Sequence, residues 1–263
     1  MPELITSPSN PLIKQARAVR QKKSRDESGL FLVEGILHVG EAAEAGWGFD
    51  TLLYAPEQLK SGFARQLVEK LKGDGIRCQP VSEPVFESFA EKENPQGIAA
   101  LLRKQNRSLD EFSPASFRFV TALVAPQDPG NLGAILRSLD AVGGDGLIVL
   151  DGGVDPYHPS AVRASVGTLF WKPFVQSAFD QFVHWAKKGG YRLIGTSAHG
   201  DLDYRAARLD ERPTVLLLGS EQKGLSPQQI AACDELISLP MRGRATSLNL
   251  AVAAGILFYA LKP

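Results

Sequence analysis

Hydrophobic residues along this chain gather in short runs separated by amphipathic stretches. "RFVTALVA" (118–125), "GLIVL" (146–150), "YRLIGTSA" (191–198) and "TVLLLG" (214–219) are apolar and rich in branched side chains. Runs this short that do not alternate predict strands covered on both faces, as in a parallel sheet. Between them, "NLGAILRSLDAV" (131–142) repeats Leu132, Ile135, Leu136 and Leu139 at helical spacing. "PSAVRASVG" (159–167), "FDQFVHWAKKG" (179–189) and "SPQQIAAC" (226–233) predict further helices, the last with Ser226 as cap and Pro227 at the first position. "ELISLP" (235–240) predicts a strand, and an apolar helix begins at about Ser247.

The first part of the chain alternates in the same way. "LFLVEG", "FDTLLYA", "IRCQPVS" and "QGIAALLRK" predict strands, and "ILHVGEAAEAG", "ARQLVEKLKGDG" and "PVFESFAE" predict helices. Together they form a small α/β domain with a parallel or mixed sheet. Polar, proline-containing "NRSLDEFSPASF" separates the two patterns. The expected division is a first domain over 1–106, a linker over 107–117 and a second domain over 118–263.

Charge changes this picture locally. With 29 basic and 29 acidic residues the net charge is zero, which excludes a strongly basic coat but leaves room for patches. "PSNPLIKQARAVRQKKSR" (8–25) is such a patch, carrying Lys14, Arg17, Arg20, Lys22, Lys23 and Arg25 and no acid. Ser9-Asn10-Pro11 predicts a helix start there, with Leu12, Ile13, Ala16 and Val19 as its thin apolar stripe. The basic side chains read either as a solvated face or as phosphate contacts.

Other classes are excluded more simply. Cys78 and Cys233 lie far apart, which suggests neither a disulfide framework nor a zinc site and makes a reducing, cytoplasmic setting the expectation. The opening "MPELITSPSNPLIK" has no basic segment followed by an apolar one, so no secretion signal is expected. The apolar run after Leu248 falls short of the roughly 20 residues that span a bilayer, so no membrane role is expected.

Three loops between strands and helices carry residues beyond structural need. In "APQDPGNLGAILRSLD", Asn131 stands at the helix mouth as cap or as site residue, and Arg137 lies one turn beyond Gly133. "LLLGSEQKGLSPQQ" approaches a phosphate loop through Gly219, Gly224 and Ser226, but Leu225 stands where the phosphate-binding lysine is needed, which excludes a nucleoside triphosphatase. What remains there is a glycine turn with Glu221, able to admit an uncharged ring. In "LPMRGRATSLNLAVAAG", Thr246 or Ser247 can cap the last helix, so Asn249, Arg242 and Arg244 are surplus to capping and suggest a site. A dinucleotide fold is disfavoured because the first loop reads G-N-L-G rather than G-x-G-x-x-G.

Taken in order and spacing, the three loops resemble the signature motifs of the SpoU (TrmH) family of RNA ribose 2'-O-methyltransferases. "NLGAILR" is similar to the first motif, "LLLGSEQKGL" to the second and "ISLPMRGRATSLNLAVAAG" to the third. "FLVEG" and "QGIAALL" resemble that family's L30e-like substrate-binding domain, so the likeness spans nearly the whole chain. Small departures are Gln127, where an acidic residue is common, and Leu250 and Ala251, where Val and Ser often occur.

The resemblance implies an N-terminal L30e-like α/β domain and a C-terminal trefoil-knotted α/β (SPOUT-type) domain that binds S-adenosylmethionine and pairs into a homodimer. Neither the knot nor the dimer is visible in periodicity, and deep knots are rare on general grounds. It implies catalytic roles for Asn131, Arg137, Glu221, Ser247 and Asn249. The cofactor would lie against Leu217, Leu218, Gly219, Leu239, Pro240, Met241 and Leu248. RNA would be held by Lys14, Arg17, Arg20, Lys22, Lys23, Arg242 and Arg244, with Asn10 a further candidate. Arg163 and Ser165 either face the cleft or are ordinary helix residues. No metal is expected, because the sulfonium donor is already activated. The implied substrate is RNA, with 23S rRNA ahead of tRNA because of the extra N-terminal domain; a non-catalytic RNA-binding relative is the other alternative.

Overall fold

The computed structural model describes residues 2–91, 94–198 and 200–261, and the chain divides into two compact units. The first takes the chain up to Gln105 together with Tyr157–Phe170, and the second takes Asn106–Pro156 and the chain from Trp171 onward. Compactness therefore does not follow the sequence divisions 1–106, 107–117 and 118–263. Tyr157–Phe170 comes from the second half of the sequence and completes the first unit. Residues 107–117 are packed into the second unit, where Phe112 is buried and stacks on Phe117 with ring centres 4.2 Å apart.

The first unit carries α1 (Pro11–Ala18), α2 (Lys22–Ser28), β1 (Leu30–Glu34), α3 (Ile36–Glu44), β2 (Phe49–Tyr54), α4 (Gly62–Gly73), β3 (Cys78–Pro80), α5 (Glu83–Glu87) and β4 (Ile98–Arg103). Its sheet runs β1-β4-β2-β3 and is mixed: β4 is antiparallel to both neighbours and β2 is parallel to β3. Alternation along β1 sends its side chains to two cores. Leu30 and Leu32 join Leu12, Ile13 and Ala16 of α1 and Phe86 of α5. Phe31 points the other way, onto Trp47 at 5.7 Å and Tyr157 at 4.6 Å between ring centres. Trp47 in turn meets Phe170 edge-on and donates its indole N–H to the Phe170 carbonyl at 2.9 Å.

The basic run does not form one helix. Asn10 caps α1 by accepting the Leu12 N–H, as the sequence predicts, but the chain breaks after Ala18 and restarts at Lys22. Arg25 holds the break. It is buried, and its guanidinium donates to the carbonyls of Val19 at 2.9 Å and Arg20 at 2.7 Å. Arg25 thus leaves the basic face, and a charge that reads as solvated in sequence serves as an internal tie.

The second unit carries β5 (Phe119–Val124), α6 (Pro129–Ala141), β6 (Gly146–Leu150), β7 (Phe174–Ser177), α8 (Phe179–Lys188), β8 (Arg192–Thr196), β9 (Leu202–Asp203), β10 (Thr214–Leu218), α9 (Pro227–Ala231), β11 (Glu235–Ser238) and α10 (Leu250–Leu261); α7 (Pro159–Ala164) lies in the segment that belongs to the first unit. Among the described residues its sheet has seven strands in the order β7-β6-β5-β10-β8-β11-β9, and every pairing is parallel. β5, β6 and β10 are buried along their whole length, as their unbroken apolar runs predict. β7 and β9 escape the sequence pattern. β7 has only Phe174 and Val175 turned inward, and β9 is two residues long. Because β10 lies between β5 and β8, and β11 beside β8, the C-terminal ends of these four strands come together. In an open α/β sheet that edge is where ligands bind.

Candidate active site

The first loop leaves β5 through Ala125, which takes a left-handed φ of 40°. Asp128, not Asn131, caps α6: its carboxylate accepts the Gly130 N–H at 2.7 Å, and Pro129 takes the first helical position. Asn131 is therefore released from capping and sits in the first turn, buried. Arg137 lies further along α6 with an exposed side chain and has no hydrogen bond or ion pair among the described residues.

The second loop is a tight turn after β10. A Cβ on Gly219 would come within 2.3 Å of the Gly224 backbone, so only glycine fits there. Ser220 and Gly224 exchange backbone hydrogen bonds at 3.1 and 2.9 Å, and Gly224 supplies the left-handed φ of 64° that closes the turn. The turn projects Glu221 toward the first loop. Its carboxylate accepts the Gln127 N–H at 3.1 Å and the Asn131 side-chain N–H at 3.3 Å.

The third loop, 239–249, is irregular, and α10 begins at Leu250 rather than near Ser247. Asn249 is its cap: Oδ1 accepts the N–H groups of Ala251 at 2.9 Å and Val252 at 3.3 Å. This corrects the expectation of a Thr246 or Ser247 cap. Asparagine is a poor helix former but among the best caps, which explains its place one residue before the helix. Its Nδ2 donates to Asn131 Oδ1 at 2.9 Å. A single chain of hydrogen bonds, Glu221–Asn131–Asn249, thus ties the three loops across 118 residues of sequence.

Beside this chain opens a cleft of about 540 Å³. Of the residues expected to hold a cofactor, Leu218, Gly219, Leu239, Met241 and Leu248 line it, together with Glu221 and Ser247. Leu217 and Pro240 do not. Alternation along β10 turns Leu217 into the core of the sheet, and Pro240 faces solvent. Asn131, Asn249 and Arg137 are not among the residues that line it. Sequence reasoning missed Thr196, Ser197 and Ala198, which line the cleft from the end of β8. The rule that ligands sit at strand ends could have found them, but the place of β8 beside β10 is not readable from periodicity. Leu225, Ile230, Ile237 and Leu257 supply apolar walls, while Thr196, Ser197, Ser220 and Ser247 supply hydroxyls. A flat heterocycle joined to a sugar fits that division, and the volume suits a small-molecule site.

Arg205 hydrogen bonds hold the Asp203 carboxyl at about 2, with Arg242 the last of its cationic contributors. Arg242 and Arg244 are both exposed. Behind the cleft, burial pushes the Cys233 thiol up to about 11, so it stays protonated and unreactive near neutral pH.

The remaining candidates lie in the first unit. Lys14, Lys22 and Lys23 are exposed. Arg17 donates to the Pro8 carbonyl, and Arg20 to that of Phe89 at 2.7 Å, so each commits a guanidinium donor to backbone. Arg163 pairs with Glu91 at 3.0 Å inside this unit. Ser165 is fully buried and donates to the Val162 carbonyl at 2.7 Å, closing its own helix. Among the described residues no cluster of His, Cys, Asp or Glu could hold a metal ion, and no helix is long and apolar enough to cross a membrane.

A parallel α/β sheet with three loops tied at its C-terminal edge, beside a cleft of mixed apolar and hydroxyl lining, defines a small-molecule-binding enzyme fold. The SpoU rRNA Methylase family model matches residues 118–259, and the MRM3-like substrate binding domain matches residues 10–100. The chain is 36% identical over 245 residues to the 23S rRNA (uridine(2479)-2'-O)-methyltransferase of Streptomyces viridochromogenes, covering 90% of this chain and 84% of that one. It is 31% identical over 258 residues to the 23S rRNA (guanosine(2553)-2'-O)-methyltransferase RlmP of Bacillus subtilis (strain 168), covering 98% of each. The AdoMet-bound rRNA methyltransferase structure from Sinorhizobium meliloti superposes with a TM-score of 0.90 at 34% identity, over 98% of this chain and 96% of that one. The chain belongs to the SpoU rRNA methylase family.

Proposed function

We propose that this protein transfers a methyl group from S-adenosylmethionine to a ribose 2'-hydroxyl of RNA, with 23S rRNA as the substrate. The observation that carries the reading is the Glu221–Asn131–Asn249 chain, which fixes three motif loops around the 540 Å³ cleft. Relatives that span nearly the whole chain bear 23S rRNA names, which favours rRNA over tRNA.

When bound, S-adenosylmethionine supplies an electrophilic methyl group on a sulfonium. The protein must align the ribose oxygen and manage its proton. Asn131 and Asn249 each use both ends of their amides on protein partners, so they hold loops and cannot rotate freely. Ser247 differs: it lines the cleft, and its hydroxyl makes no hydrogen bond among the described residues. It is the group best placed to meet a ribose. Leu218, Gly219, Leu239, Met241 and Leu248 would hold the adenosine, joined by Thr196 and Ser197. A guanidinium offers donors and no acceptor, so the role of Arg137 in this reading is to grip the adjoining phosphate and stabilise the developing alkoxide, not to act as base.

A homodimer through the second unit, and a trefoil knot within it, belong to the same reading. Val252, Ile256 and Tyr259 expose one apolar face of α10, with Met241 and Leu248 also exposed before it. A second copy fits such a face, because apolar surface of this kind gains from burial. α10 packs against α6, so Arg137 would then border the interface. Lys14, Arg17, Arg20, Lys22, Lys23, Arg242 and Arg244 would contact phosphates, and binding would weaken steeply with salt. The cytoplasm, where rRNA and S-adenosylmethionine meet, is the matching location.

The test is incubation of purified protein with labelled S-adenosylmethionine and, separately, rRNA and tRNA from a strain lacking the gene, followed by nucleoside analysis. A 2'-O-methylnucleoside in rRNA alone is expected. Label in tRNA alone would move the substrate, and failure to bind S-adenosylmethionine would overturn the reading. In the same assay Arg137→Lys should lose about 10²-fold in turnover, since a point charge cannot replace a planar fork. Near-normal turnover would remove the bidentate role.

A further inference from the structure

Gln127 follows the turn out of β5 and makes contacts in two directions, one through its side chain and one through its backbone. Its side-chain amide folds back to donate to the Ala125 carbonyl at 2.8 Å. Its own backbone N–H donates to both Glu221 oxygens, at 3.1 and 3.4 Å. The backbone between these contacts is held in an unfavourable shape. Ala125 has a φ of 40°, in the left-handed region that an L-residue with a Cβ adopts reluctantly. The next turn backs it up. Val154 donates to the Pro126 carbonyl at 2.9 Å, and Gly153, at a φ of 92°, passes so close that a Cβ would meet that oxygen at 2.5 Å.

We infer that Gln127 is a positioning residue for methyl transfer: its neutral amide locks the Ala125 turn and so presents the Gln127 N–H to Glu221, which in turn orients Asn131 and Asn249. The inference rests on the reading of the cleft as a methyltransferase site. The amide is needed because the group it faces is a carbonyl. A carboxylate there would set acceptor against acceptor and bring a second negative charge beside Glu221. The charged groups around the position are Asp128 next to it, Glu221 and Lys223 on the facing turn, and Asp151 and Asp155 on the turn behind. Asp128 accepts the Gly130 N–H and Asp151 the Phe179 N–H, and as carboxylates both are acceptors with no donor to offer an introduced carboxylate. Lys223 is exposed. Since Gln127 touches neither cleft nor reacting atoms, its effect passes through Glu221.

The test compares wild type, Gln127→Ala and Gln127→Glu for kcat and KM across pH, for S-adenosylmethionine affinity by calorimetry, and for amide hydrogen exchange over 125–131. Gln127→Glu is expected to lower kcat by about tenfold near pH 8 while leaving cofactor affinity within about twofold, because the loss is one of alignment. Lowering the pH to about 5.5 should restore part of that loss relative to wild type, because neighbouring carboxylates raise the introduced group above about 4.3 and its protonated form can donate to Ala125. Gln127→Ala should lose activity with a pH profile parallel to wild type. Equal kcat for Gln127→Glu and wild type at every pH, or a change confined to KM, would overturn the inference. If the wild type methylates no RNA, the functional reading fails by itself. Hydrogen exchange then still decides the contact: faster exchange at the backbone N–H of position 127 in Gln127→Glu than in wild type supports the lock, and unchanged exchange removes it.

Discussion

The aromatic core of the first unit and the mouth of the cleft in the second treat apolar surface in opposite ways. Phe31, Trp47, Tyr157 and Phe170 form a closed cluster, each at most 7% exposed, although two of the four come from more than 100 residues further along the chain. At the mouth, every residue from Met241 to Asn249 is exposed, and α10 follows with Val252 at 52% and Tyr259 at 62%. One core is finished with residues borrowed from elsewhere in the sequence. The other surface is left open to solvent. The difference gives a way to test which residues set stability and which set the proposed function.

Three substitutions break or sharpen this contrast. Trp47→Ala removes a buried ring and its hydrogen bond to Phe170, and should cost about 3–5 kcal/mol in denaturant unfolding. Cofactor binding by the second unit should survive it at 25 °C. A loss below about 1 kcal/mol would mean that Tyr157–Phe170 is not integral to the first core. Asn131→Ala should act in the reverse sense. It leaves Glu221 and Asn249 without their shared partner, worth about 1–3 kcal/mol, and should lower kcat by about 10- to 100-fold with a smaller change in melting temperature. An unchanged kcat would show that the hydrogen-bond chain does not serve catalysis. Glu91→Gln should do least. Its ion pair with Arg163 is half open to solvent, so stability should shift by about 0–1 kcal/mol, as read from the unfolding midpoint.

The strands of the parallel sheet were legible because burial on both faces leaves an unbroken apolar signature, as at β5, β6 and β10. β7 and β9 were not, since an edge strand with two inward residues, or one of two residues in all, has no period to detect. The site shows the same division. Glycine-dependent turns such as Gly219 could be read locally. Which residue capped which helix could not, because Asp128 and Asn249 compete with Asn131 and Ser247 through geometry that spacing does not express. Arg25 shows the limit for charge, being indistinguishable in sequence from exposed Lys22 and Lys23 although it is only 1% exposed.

The borrowed segment also has a consequence in time. A chain made from its N-terminus cannot complete the first core when residue 105 emerges. It must wait about 65 residues more, or roughly 3–13 s at about 5–20 residues per second. During that interval Phe31 and Trp47 lack Tyr157 and Phe170, while β5 and β6 are already being delivered. The order of synthesis and the order of folding are therefore out of step in this protein. Its first-made half depends on Tyr157–Phe170, made after β5 and β6, to become finished, and ribosome pausing before Phe170 would prolong the exposure of an incomplete aromatic surface.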